Sequence, residues 1–153
     1  MTIQCDETTY QNFGRCMLLD NGVIRLMATL DVGPRIIYFG TRGNRNILFE
    51  DVRRDFCELN KGYGTWYAYG GHRLWTAPEV MPETYFPDNS RVTCDYTDGV
   101  LTLTPKATPF GKQFSLILIV EPDGVPHHVD VDCHTAVVDD LVLYSKRCIE
   151  LRH

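Results

Sequence analysis

Apolar and polar residues alternate with a period of two along much of this chain, and that alternation predicts β-strands. Residues 15–19 lead into Asp20-Asn21-Gly22, and residues 23–30 follow with Ile24, Leu26, Ala28 and Leu30 on one face. An Asn-Gly turn between two such runs predicts a hairpin. Residues 35–39 predict a third strand and Ile47-Leu48-Phe49 a short fourth. In residues 91–97, Val92, Cys94 and Tyr96 alternate with Thr93, Asp95 and Thr97, and Asp98-Gly99 leads into residues 100–104 as a second hairpin. Residues 113–121 set Phe114, Leu116, Leu118 and Val120 on one side and Ile117 and Ile119 on the other, the pattern of a strand covered on both faces. Only residues 51–59 have helical character, enough for a turn or two, and eight prolines punctuate the rest. Beyond residue 120, residues 127–134 and 141–144 can form two further strands. Short strands at close spacing predict an all-β fold, an antiparallel β-sandwich or barrel, with no internal repeat or linker dividing it.

Composition narrows the setting. The 153 residues are 44% hydrophobic and 23% charged, with a formal charge of −5. No apolar run approaches the roughly 18 to 20 residues of a membrane helix, and the start Met1-Thr2-Ile3-Gln4-Cys5-Asp6-Glu7 has no signal-peptide pattern. A cytoplasmic protein without a membrane partner is expected. Residues 1–120 carry 12 basic and 13 acidic side chains, residues 121–153 carry 3 and 7, and neither part has the basic stripe that neutralising phosphates requires. Nucleic acid is therefore excluded as an expected partner. Cys5, Cys16, Cys57, Cys94, Cys133 and Cys148 form no Cys-x-x-Cys pair, so free thiols are expected rather than a zinc or redox motif. The length fits one domain, although β-sandwich domains often run to about 200 to 250 residues.

Candidate chemistry concentrates in residues 56–86, which hold 8 of the 17 aromatic residues and both tryptophans, Trp66 and Trp75. Long ordered loops on β scaffolds tend to bind ligands. Within this stretch, Gly70-Gly71-His72-Arg73-Leu74-Trp75-Thr76-Ala77-Pro78-Glu79 stands out. Paired glycines allow the backbone to pass close to a ligand or to another segment. Alternation after them sets His72 and Leu74 against Arg73 and Trp75, a guanidinium beside an indole. An aromatic ring covers the apolar face of a sugar while Arg, His and Glu hydrogen-bond its hydroxyls, so the run suits a carbohydrate. The plainer alternative is a core filled by Trp75, with Arg73 paired to Glu79 at its edge.

Other candidates are weaker. His128, Asp130, Asp132 and His134 would share one face of a strand, a spacing able to bind a divalent metal but more often a solvated face, and no metal site or cofactor is assigned. Arg53-Arg54 beside Asp51 and Asp55 reads as a solvated mixed-charge turn. Asp88-Asn89-Ser90 and Thr108-Pro109-Phe110-Gly111 read as loop tips.

Asp31-Val32-Gly33-Pro34-Arg35-Ile36, then Asn46-Ile47-Leu48-Phe49-Glu50, then the segment from Gly70 to Glu79, resemble the N-terminal half of the galactose mutarotase-like superfamily, which contains the aldose 1-epimerases. The likeness runs from about Gly14 to Val120, and its most specific piece is the Gly-Gly-His-Arg-Leu-Trp run. It implies an antiparallel β-supersandwich whose concave sheet binds sugars. It also implies ring opening by an acid and a base acting on opposite proton positions of an aldose. His72 is then the candidate acid or orienting donor, Arg73 a sugar or sugar-phosphate contact, and Arg35 a weaker third; Trp66, Trp75 and Glu79 complete the expected site. Two departures stand out. The family's histidine precedes a Gly-Gly pair whereas His72 follows one, and no carboxylate here matches the family's base, which comes from the C-terminal part of the domain.

The expectation is thus a carbohydrate-binding β-sandwich, an incomplete supersandwich, with aldose 1-epimerase-type activity belonging to the complete domain. A non-catalytic sugar-binding or structural module, or an inactive truncated product, are the alternatives. Open strand edges would expose such a chain to self-association.

Overall fold

The computed structural model describes residues 3–74 and 78–120 in full and the backbone of residues 129–137 and 142–149. Trp75, Glu121 and His128 lie outside the described residues, and the side chains of Asp130, Asp132 and His134 are outside them too. The described chain is all-β and antiparallel, without a helix, so none is long and apolar enough to cross a membrane. The first sheet has the order β1-β2-β3-β4-β7, from β1 (Gln4–Thr9), β2 (Arg15–Asp20), β3 (Ile24–Thr29), β4 (Arg35–Thr41) and β7 (His72–Arg73). A hairpin of β5 (Cys57–Asn60) and β6 (Gly64–Tyr67) forms a small sheet of its own. The second large sheet has the order β12-β11-β10-β9-β8, from β8 (Thr93–Thr97), β9 (Val100–Thr104), β10 (Lys112–Val120), β11 (Val129–Val137) and β12 (Val142–Ile149).

Both predicted hairpins form. At Asp20-Asn21-Gly22 the Asn21 side-chain oxygen accepts the N–H groups of Val23 and Ile24, and Asp20 accepts that of Gly22. These local bonds close the turn and set the β2–β3 register, Leu19 opposite Leu26. The two large sheets then share one apolar core. Leu19, Leu26 and Ala28 of the first sheet and Leu101, Leu103, Leu116 and Leu118 of the second are each 0% exposed within it. The opposite face of the first sheet is covered by Phe13 and Tyr69, which bury Cys16 and Ile37. Coverage on both faces explains the nearly continuous burial of β4.

The strands differ from expectation in several places, and a hairpin of β5 and β6 occupies part of the stretch expected to be a long loop. Ile47-Leu48-Phe49 is not a strand: Asn46 donates to the Ile37 carbonyl and accepts the Phe39 N–H, so its side chain replaces the ladder that a fourth strand would need. Residues 51–59 hold a turn and then β5 instead of helix, because buried Asp51 takes the N–H groups of Asp55 and Phe56 on its carboxylate. β1 carries no alternating apolar signal, being a polar edge strand with exposed Asp6 and Glu7. On β10, Leu116, Leu118 and Val120 are buried while Ile117 and Ile119 are only half-buried, so one face dominates.

Candidate functional site

The site is built where β7 closes the first sheet. Gly70 and Gly71 both have positive φ, 90° and 71°. A Cβ on Gly70 would strike the Phe49 carbonyl oxygen, and one on Gly71 that of Ile36. The paired glycines therefore serve close passage past other backbone, and Gly71 N–H donates to the Phe49 carbonyl at 2.7 Å. This passage delivers the next two residues onto β4, with His72 opposite Ile36 and Arg73 opposite Arg35. Neighbouring strand residues point to opposite faces, so His72 shares the face of Ile36 and the apolar core while Arg73 shares that of Arg35.

Two arginines directly opposite each other require an anion between them, and Asp88 supplies it. Its Oδ2 accepts from Arg35 Nη2 at 2.5 Å and from Arg73 Nη1 at 3.1 Å. Arg35, 0% exposed, also donates Nη1 to the carbonyls of Ala68 and Gly70 and lies 4.7 Å from the Tyr69 ring centroid. Arg73 donates to the Thr84 carbonyl and lies 5.4 Å from the centroid of Trp66, which meets Tyr85 edge to face. Burial, opposed by Asp88, holds the Arg73 guanidinium below its ordinary value, and the group stays cationic. Tyr69 is in turn faced by Arg54, 4.5 Å away and equally close to Phe13, while burial and then Asp88 raise its phenol. Arg54 is thus an aromatic-stacked residue rather than part of a solvated turn, while Arg53 and Asp55 beside it are exposed and Asp51 is buried.

Of the expected residues, Arg35, Arg73 and Trp66 come together. Glu79 does not join them: it is exposed and accepts the Tyr85 hydroxyl at 3.2 Å, so Asp88, not Glu79, is the carboxylate on Arg73. His72, half-buried, falls on the other sheet face. Among the described residues, the indole beside Arg73 is that of Trp66.

A cavity of about 500 Å³ opens beside Arg73. Its wall combines the rings of Tyr63, Phe86 and Phe114 with the polar side chains of Arg73, Glu83, Asp88, Asn89, Lys106, Lys112 and Gln113. Tyr63, Phe86 and Phe110 contact one another at centroid distances of 5.4 to 6.0 Å, which stiffens that wall. Lys112 and Glu83 form an ion pair across it. Asp88 Oδ1 is buried without a hydrogen-bond partner, as is Arg35 Nε. Asn89 is held by Tyr69 Oη and the Thr65 carbonyl, so a segment read as a loop tip is a fixed part of the wall.

Thiol chemistry has no support among these residues. Burial pushes Cys5 up to about 11 and Cys16 up to about 12, and raises Cys94, which leaves them protonated at neutral pH. The residues that sequence reasoning missed, Asp88 above all, lie 15 and 53 positions from the arginines they meet, beyond any local periodicity. No protein-family model, curated protein or solved structure matches the chain.

Proposed function

We propose that the chain is a carbohydrate-binding β-sandwich of the galactose mutarotase-like type, with its ligand in the cavity beside Arg73. One observation carries the reading: a single cavity of about 500 Å³ offers ring faces from Tyr63, Phe86 and Phe114 together with fixed donors and acceptors on Arg73, Asp88 and Asn89. That volume falls within the usual range for small-molecule sites. Sugars present the matching surfaces, apolar C–H faces and directional hydroxyls. The free thiols of Cys5, Cys16, Cys57 and Cys94 support a reducing, cytoplasmic setting.

Ring opening demands an acid and a base in reach of the same sugar. The carboxylates on the wall, Glu83 and Asp88, both already hold cations, and His72 lies on the opposite face of its strand. Binding is accordingly the function proposed for this chain, and anomer interconversion the property of a domain that adds a free base. Titration of the chain with neutral aldohexoses, followed through Trp66 fluorescence and by calorimetry, should show saturable binding that Phe86→Ala weakens about tenfold. A flat titration with a folded chain would refute the reading. NMR exchange between α and β anomers, with His72→Ala as the control, separates catalysis from binding.

A further inference from the structure

The two large sheets bring a pair of cysteines to one open side of their shared core. β1 is an edge strand of the first sheet and β8 an edge strand of the second, so each has a free side. Residues directly opposite in an antiparallel pair point to the same face. Cys5 stands opposite Leu19 and Cys94 opposite Leu103, and both leucines are 0% exposed in the one core. Both thiols are thereby directed to the space between the sheets. Cys5 packs against the core and is half-buried, while Cys94 at the rim is exposed. The electrostatic neighbours of Cys5 lie on β8: burial and then Cys94 push its thiol up, and burial and then Cys5 raise the Tyr96 phenol. Tyr96 shares the Cys94 face, standing opposite buried Leu101. In the other direction, Glu7 of β1 adds to burial and Asp95 in raising Cys94. The free sides of β1 and β8 thus adjoin.

We propose that Cys5 and Cys94 are a redox-controlled cross-linking site, whose disulfide staples the edge of one sheet to the edge of the other when the chain meets a small disulfide oxidant. The inference is independent of the carbohydrate reading. Disulfides that join two packed sheets are established in antibody domains. Closure needs Cα atoms within about 7 Å, and an edge strand can move toward its counterpart without breaking a ladder on its free side. Chemically, the Cys94 thiolate attacks oxidised glutathione and expels one glutathione; the Cys5 thiolate then attacks the Cys94 sulfur and expels the second. One S–S bond forms on the chain, one is lost from the oxidant, and the two thiol protons end on the two glutathiones released. Raised thiols exclude a ready nucleophile at neutral pH and make this exchange slow, so the reduced chain is the resting form. Competitors are poorly placed: Cys16 is buried on the opposite face of the first sheet, and Cys57 belongs to the separate β5–β6 hairpin. Among the described strands β1 pairs only with β2, so it gains most from a second tie.

The full folded chain, incubated with oxidised glutathione and then digested with trypsin without reductant, tests the pairing by mass spectrometry. Residues 1–15 and 92–106 each form a tryptic peptide with one cysteine. They should appear joined, two hydrogens lighter than their sum, and separate on reduction. The oxidised chain should melt about 5 °C or more above the reduced one, because the staple closes a long loop. Cys94→Ser, an exposed change, should abolish both the joined peptide and the rise, whereas Cys57→Ser should leave both intact. Absence of the joined peptide in a folded, oxidised chain would overturn the proposal. So would Cys5 or Cys94 recovered mainly with glutathione still attached, or paired with any other cysteine of the same or a second chain. A cross-link without a rise in melting temperature would overturn the staple.

Discussion

Arg35 and Arg73 stand opposite each other across β4 and β7, and like charges so placed repel. One carboxylate oxygen of Asp88 turns the repulsion into a bridge. Removing it leaves two largely buried guanidiniums face to face, so Asp88→Ala should lower the urea-unfolding free energy by about 3 kcal/mol. In an Arg73→Met background the same change should cost less by at least about 1 kcal/mol. An identical cost in both backgrounds would show that Asp88 serves Arg35 alone. The arginines were legible as candidates from the runs around Pro34 and Gly71. Their shared partner was not, because nothing near Asp88 in sequence distinguishes it from other loop aspartates.

At the scale of elements, β7 is two residues long, and its place in the sheet depends on the two glycines before it. Gly71 combines a φ of 71° with direct approach to the Ile36 carbonyl oxygen. Gly71→Ala should therefore cost about 2 kcal/mol or more, from left-handed strain plus the collision. Gly43→Ala is the control, since its φ of 84° carries the strain but no atom lies within 4 Å of the added methyl. Thermal denaturation of the pair should show the larger loss for Gly71; equal losses would mean that close passage is unimportant. The hairpins at Asn21-Gly22 and Asp98-Gly99 were legible because turn residues and flanking alternation agree. β1 was not, because a polar edge strand has no face to bury.

At the scale of the molecule, the sheets are joined by a shared core and by a few polar ties. Val92 N–H donates to the Leu30 carbonyl, and Asp31 receives Arg15 from the first sheet and Arg91 from the segment entering the second. The Arg15 backbone N–H, then its guanidinium, holds the Asp31 carboxyl below its ordinary value. A depressed carboxyl stabilises the fold above the unfolded value of about 3.9 and loses that contribution as pH falls through the lower folded value. Asp31→Asn should thus lower stability by about 1 kcal/mol at pH 7. In melting temperatures recorded from pH 7 to pH 2, its gap to the parent should close only below about pH 4. A gap independent of pH would refute the ionic origin.

The sequence by itself determined the strand class, the two tight hairpins and the apolar faces that meet in the core. Those follow from period-two patterning and from turn residues whose bonds are local. Tertiary structure alone decided that the Gly-Gly pair passes other backbone and that His72 takes the face of the apolar core while Arg73 takes that of Arg35. It also decided that the Trp66 indole lies beside Arg73, and that Asp88 joins the two arginines. Each of these depends on which strand lies beside which, and that pairing is chosen by burial summed over the whole chain rather than by any local run of residues.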